Sequence, residues 1–245
     1  MIENKIEIRN LIKKYNNIVA VNNIDFTIHG NEVIGLLGPN GCGKTTTIGM
    51  ILGLLKPSSG KIIINGENIE EKRINLLSKM NFISPYIELP KKLTVKQNLI
   101  VYGKLYNVKN INNRIEYLAN ELRLENLLNK ITGELSSGQK NRVSLAKALI
   151  NDPSFLLLDE PTASLDPETG DFIRTFLESY KKEKNLSILL ASHNMSEVER
   201  LCNSVLMMKE GIIIDRGVPK ELIKKYSRKN LEEVFLELTR NKNVF

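Results

Sequence analysis

Only two cysteines, Cys42 and Cys202, occur among the 245 residues. Two thiols cannot build a disulfide framework, so a small bridged scaffold is excluded. No apolar run approaches the ~18–20 residues needed to cross a bilayer, which excludes a membrane pore. The start, Met1-Ile2-Glu3-Asn4-Lys5, lacks the basic-then-apolar pattern of a secretory signal. These absences predict a soluble, cytosolic chain. Internal repeats and low-complexity linkers are also missing. Excess charge is modest: 35 Lys and Arg against 28 Asp and Glu give +7. Spread along the chain, that excess reads as a solvated Lys-rich surface. A basic face for nucleic acid or anionic lipid is allowed but not required.

What is present fits one large domain, or a core domain with a lobe attached. Residues 5–35 alternate apolar and polar in short bursts, as Ile6 and Ile8, Val19 and Val21, and Ile24, Phe26 and Ile28 do. That is strand periodicity. Val33 to Leu37 reads as a buried strand, Gly38 to Gly43 as a Gly-rich turn, and Lys44 to about Leu55 as a helix. Pro57-Ser58-Ser59-Gly60 breaks that helix, and Lys61 to Asn65 reads as a strand. From Thr94 to Ile150 the pattern turns helical, with Leu118, Leu122, Leu124, Leu127 and Leu128 suggesting one apolar face. Phe155–Leu158, Ser187–Ala191 and Val205–Met208 read as strands separated by helices, which argues a parallel sheet. Leu231, Val234, Phe235 and Leu238 have the spacing of an amphipathic helix.

Gly38-Pro39-Asn40-Gly41-Cys42-Gly43-Lys44-Thr45 matches G-x-x-x-x-G-K-[ST] between a strand and a helix. Glycines allow positive φ and let backbone N–H groups converge on phosphate oxygens. The helix start adds its positive end. Lys44 supplies charge for the outer phosphates, and the Thr45 hydroxyl suits Mg²⁺. The pattern implies a nucleoside triphosphate, not a particular reaction. A GTPase would need a base-reading Asn-Lys-x-Asp loop, which neither Asn141-Arg142 nor Lys184-Asn185 supplies.

Phe155 to Leu158 closes in two carboxylates. Asp159 at the strand tip suits Mg²⁺, and Glu160 is placed to orient or deprotonate a water. Leu135-Ser136-Ser137-Gly138-Gln139 opens a helical stretch; alone, an ordinary N-cap explains it better. Taken together, these elements resemble the ATP-binding subunit of ABC transporters, in the family's order, from Ile6 to about Asp215. Tyr15 matches the aromatic that stacks on adenine. Gly38 to Thr46 matches the phosphate loop, with Thr46 its last residue. Leu135 to Gln139 matches the signature LSGGQ, with Ser137 in place of the first Gly. Asp159 and Glu160 match the Mg²⁺ carboxylate and catalytic base, and Ser164-Leu165-Asp166 the loop that crosses between subunits. His193 matches the switch histidine that reaches the γ-phosphate. His29 has no such frame and reads as a surface residue. Residues 231–239 look like the end of the drug- and polysaccharide-exporter branch.

The resemblance implies an α/β fold: a P-loop NTPase core with a parallel sheet, a small antiparallel β lobe and a helical insertion at about 86–150. Residues 1–245 would form a single ABC ATP-binding domain with a helical tail from about 220. It also implies ATP and Mg²⁺ as cofactors and a separate membrane permease. A homodimer, or a pair with a second ATPase subunit, would hold ATP at its interface against Ser136, Ser137, Gly138 and Gln139. Location would be cytoplasmic, peripheral to the membrane, with no nucleic acid partner. The alternative is a soluble ABC ATPase acting on ribosomes or DNA. A P-loop small-molecule kinase would leave the signature and the Asp159-Glu160 pair unexplained. Two departures stand out. Cys42 lies beside a helix start and Lys44, which predicts a thiolate-prone cysteine. Pro85, counted back from Leu93-Thr94-Val95, takes the place of the family's Gln, which predicts slow hydrolysis by the chain alone.

Overall fold

The computed structural model describes residues 4–85, 87–163 and 165–240. Ser164 and the opening Met1-Ile2-Glu3, named in the sequence reading, lie outside them. In chain order the elements are β1 (Lys5–Tyr15), β2 (Ile18–His29), β3 (Val33–Leu37), α1 (Lys44–Ile51), β4 (Ser59–Ile64), β5 (Glu67–Asn68) and α2 (Ile69–Leu77). Then come β6 (Met80–Ile83), α3 (Val95–Leu105), α4 (Ile111–Glu121), α5 (Ser137–Leu149), β7 (Phe155–Asp159) and α6 (Pro167–Lys184). Last are β8 (Ser187–Ala191), α7 (Met195–Leu201), β9 (Ser204–Lys209), β10 (Ile212–Gly217), α8 (Pro219–Lys225) and α9 (Leu231–Arg240). The chain divides into two compact units, one of residues up to Leu77 with those from Ser187 onward, the other Ser78–Leu186.

The first unit holds two kinds of sheet. β2, β1, β4 and β5 lie side by side, every pairing antiparallel. Ile6 and Ile8 alternate inward along β1, as the period-two pattern requires; an irregularity at Asn10, φ 47°, then turns Leu11 inward, and all three are buried. β3 pairs in parallel with β8 on one side and β9 on the other. Every residue of β3 and β8 is buried, which is why they read as unbroken apolar runs rather than alternations. β10 returns antiparallel along β9. The tail helix α9 buries Leu231, Val234 and Leu238 within its own unit. Burial of each such side chain contributes about 1.5–3 kcal/mol, and the Leu231 N–H is held by Glu199 Oε1 at 2.7 Å.

The second unit carries the α3–α6 helices and the parallel pair β6–β7, in which Met80 faces Phe155 and Ile83 faces Leu158. Thr94 caps α3 and Ser136 caps α5, each in a reciprocal pairing with the glutamine three residues on.

The expected α/β architecture, with a parallel core, an antiparallel lobe and helices between, is the one observed. Some boundaries move. The first helix stops at Ile51, not Leu55, because Gly53 turns left-handed at φ 62°. The strand expected from Lys61 to Asn65 runs Ser59–Ile64. The leucine series at 118–128 is not one helical face. α4 ends at Glu121 and Arg123 adopts φ 53°, although Leu118, Leu122, Leu124 and Leu127 are all buried.

Candidate functional site

In the first unit, β3 delivers the chain into the loop Gly38–Gly43, and α1 begins directly after it. Gly41 and Gly43 take φ values of 79° and 109°, so they supply the left-handed turns expected of the loop. Gly38 is required for another reason. A Cβ there would lie 2.3 Å from Cys42 Sγ and 2.5 Å from the Met208 carbonyl oxygen. Pro39, Asn40 and Gly41 are exposed, while Cys42, Gly43 and Lys44 are buried. Lys44 folds back over the loop: its Nζ donates to Gly38 O at 2.7 Å and to Pro39 O at 3.1 Å. These bonds use two of its three N–H groups. Thr45 is exposed on the first turn of α1 and Thr46 half-buried beside it. The Gly211 N–H, in the β9–β10 turn, donates to Cys42 O at 3.0 Å, and Asn22 N donates to Gly211 O at 2.8 Å. Backbone bonds thus moor the loop to the β9–β10 turn, and that turn to β2.

Cys42 departs from the thiolate expectation. It is 3% exposed, and burial pushes its thiol up, outweighing the opposing pull of Lys44. A partly exposed thiol would have kept the benefit of the nearby charge; this one is desolvated.

Two other expected residues lie in this unit. Tyr15 is 43% exposed at the end of β1, with the Lys13 ammonium 4.9 Å from its ring centroid. His193 is exposed just after β8. Its neighbour Ser192 is buried and donates from Oγ to the buried Glu197 carboxylate at 2.8 Å, while Asn194 N donates to Ser192 Oγ at 3.1 Å. His29 is exposed, as expected.

The second unit holds the carboxylates and the signature. Asp159 closes β7 and is 4% exposed. Glu160 follows, half-buried, with φ 52°. It shares a cavity of about 220 Å³ with Ser84, Pro85, Lys140, Asn141 and Ser144. Ser136 Oγ accepts from Gln139 N at 3.3 Å, and Gln139 Oε1 accepts from Ser136 N at 3.0 Å. Both signature side chains therefore cap α5. Ser137 is exposed. Gly138 is a packing glycine as well: a Cβ there would meet Thr169 of α6 at 3.2 Å. Asp166 caps α6, accepting from Thr169 N at 2.9 Å, and that bond holds its carboxyl below the usual range.

Residues 21–163 match the family described as ABC transporter. The chain belongs to that family. The Nod factor export ATP-binding protein I of Rhizobium johnstonii is 40% identical over 221 residues, covering 89% of this chain and 70% of the relative. The solved ATP-binding subunit of an ABC transporter superposes with a TM-score of 0.87 at 26% identity, covering 95% of this chain and 98% of that one. The dimeric structure of a bacterial ABC transporter cassette superposes with a TM-score of 0.80 at 25% identity, covering 87% of this chain and 98% of that one. ABC ATPases bind and hydrolyse ATP. No helix among the described residues is long and apolar enough to cross a membrane.

Three contacts of this ABC chain escape sequence reading: Gly211 on the phosphate loop, Glu197 behind Ser192, and Asn141 Nδ2 donating to Pro161 O at 2.6 Å. Gly211 and Asn141 lie far along the chain from their partners. Glu197 is only five residues from Ser192 but looks like any solvated helix acid.

Proposed function

We propose that this chain is the ATP-hydrolysing subunit that powers an exporter through a separate membrane permease, with residues 1–245 acting as one ABC ATP-binding domain. The observation that carries this reading is the phosphate loop: open backbone at Pro39–Gly41, a helix start behind it, and Lys44 held across the Gly38 and Pro39 carbonyls. Phosphate oxygens would replace those carbonyls as partners of the ammonium and take the loop's N–H groups. The export direction is supported by the Nod factor relative's name and by the 231–239 tail.

The family implies Mg²⁺ with the nucleotide. Thr45 offers an exposed hydroxyl and Asp159 a carboxylate, oxygen donors that suit a hard cation. When bound, the ion would neutralise phosphate charge; Thr45 and Asp159 are the residues proposed to hold it. Glu160 takes the role of general base toward the attacking water, and His193 that of the group that contacts the γ-phosphate. Tyr15 is the proposed adenine platform. Ser136, Ser137, Gly138, Gln139 and Asp166 are assigned to the face that a second ATPase subunit meets, supported by the dimeric cassette and by the single copy of each motif. The chain works at the cytoplasmic face of the membrane.

The test is Glu160→Gln. ATP binding should persist while turnover falls about 10²–10⁴-fold, the loss expected for a removed general base. Near-parental steady-state hydrolysis would reject the assignment. Co-purification with a multi-helix membrane protein supports the transporter reading, whereas co-sedimentation with ribosomes supports the soluble alternative.

A further inference from the structure

We infer that Asn141 is a positioning residue for Glu160. The inference rests on the reading of Glu160 as the base and adds the group that fixes where its carboxylate stands. Glu160 is held at φ 52°, a left-handed conformation that is uncommon for an L-residue with a long side chain. The next residue, Pro161, has no N–H, so the turn has one fewer backbone donor with which to hold itself.

Bonds that hold the turn include three between described residues. Ala163 N donates to Glu160 O at 3.2 Å, Leu165 N donates to Thr162 O at 3.3 Å, and Asn141 Nδ2 donates to Pro161 O at 2.6 Å. The first two arise within the segment. The third is the shortest and comes from α5, twenty positions away in sequence. α5 is a firm reference, because Val143, Leu145, Ala146 and Leu149 on it are at most 1% exposed. Asn141 and Glu160 also line the same cavity. Asn141 commits one amide N–H to the turn that carries Glu160. It spends that N–H on the carbonyl next to Glu160 and so sets the direction in which the base points. A shift of about 1 Å in such a group is enough to lower a rate markedly.

The experiment compares Asn141→Leu, Asn141→Ala and Asn141→Gln in the full chain, each also combined with Glu160→Gln. Hydrolysis is measured in steady state and single turnover, nucleotide affinity with a fluorescent ATP analogue, and folding by thermal midpoint. Loss of the donor in Asn141→Leu and Asn141→Ala should lower kcat by about tenfold or more, with KM and analogue affinity within about twofold. Asn141→Gln, which keeps an amide donor, should recover most of the rate. In the Glu160→Gln background, removing the donor should change residual turnover by less than about twofold, because the two residues act as one unit. If Glu160→Gln is inactive but both donor-less variants keep parental kcat, the positioning role is refuted and the base assignment stands. If Glu160→Gln itself turns over normally, the base assignment fails and takes the positioning role with it. A loss in kcat matched by an equal loss of analogue affinity or of folded protein, and not restored by Asn141→Gln, would make Asn141 merely structural.

Discussion

Replacing Lys147 with methionine should change how stability depends on pH. Lys147 sits on α5 and is 7% exposed. Its Nζ donates to Phe82 O at 3.2 Å and lies 5.5 and 5.4 Å from the ring centroids of Phe82 and Tyr102. Burial lowers its pKa from 10.5 to about 8. In the unfolded chain the lysine keeps its ordinary value. Between those two pH values the unfolded state therefore binds more protons than the folded one, and stability rises with pH across the window. Below about pH 8 both states are protonated and the full cost of burying the ammonium is present. Above about 10.5 neither is, and the cost is gone. A fall of this size corresponds to about 3 kcal/mol. The carbonyl and the two ring faces favour the ammonium, which makes that figure an upper one. Methionine keeps the length and apolar stem without the charge. Urea unfolding of parent and Lys147→Met from pH 7 to 11 should show the parent gaining on the variant by up to about 3 kcal/mol. Parallel pH profiles would refute the argument, since they would mean the ammonium is solvated or fully compensated in the fold.

Cys42 should alkylate slowly at neutral pH, more slowly than in urea-unfolded chain, because it is buried and its thiol is pushed up; rapid labelling of the native protein with iodoacetamide would contradict this. Pro85→Gln places an amide in the cavity that Glu160 lines, and hydrolysis by the chain alone should rise about tenfold with ATP affinity unchanged. An unchanged rate would mean that the proline has no catalytic consequence.

Local patterns carried the parts of the fold that local chemistry decides. The phosphate loop was legible because a glycine turn between an apolar run and a helix start is a contiguous feature. β7 and β8 were legible because parallel strands covered on both faces read as FLLL and ILL. α9 was legible because its apolar stripe has helical spacing. The series around Leu122 misled because burial is common to both readings. Arg123 leaves the helix through its backbone, which a hydrophobic pattern does not register. Gly38 reads in the sequence as one of the loop's positive-φ glycines, but it is kept small by Cys42 and the distant Met208 carbonyl. Asn141 and Gly211 were invisible for the same reason: their partners lie twenty residues or more away, and nothing nearby in sequence marks them.

The mooring of the phosphate loop to the β9–β10 turn has a thermodynamic consequence. Glu210 is exposed at that turn, while the Gly211 amide reaches inward to Cys42. A ligand that seized the turn from outside and pulled Gly211 away would loosen the loop without touching the place where phosphate binds. Its grip would be weaker on nucleotide-bound protein by the same factor that nucleotide binding is weakened by the ligand. Such a compound would weaken ATP binding while sharing no contact with it, and the weakening would level off at that coupling factor.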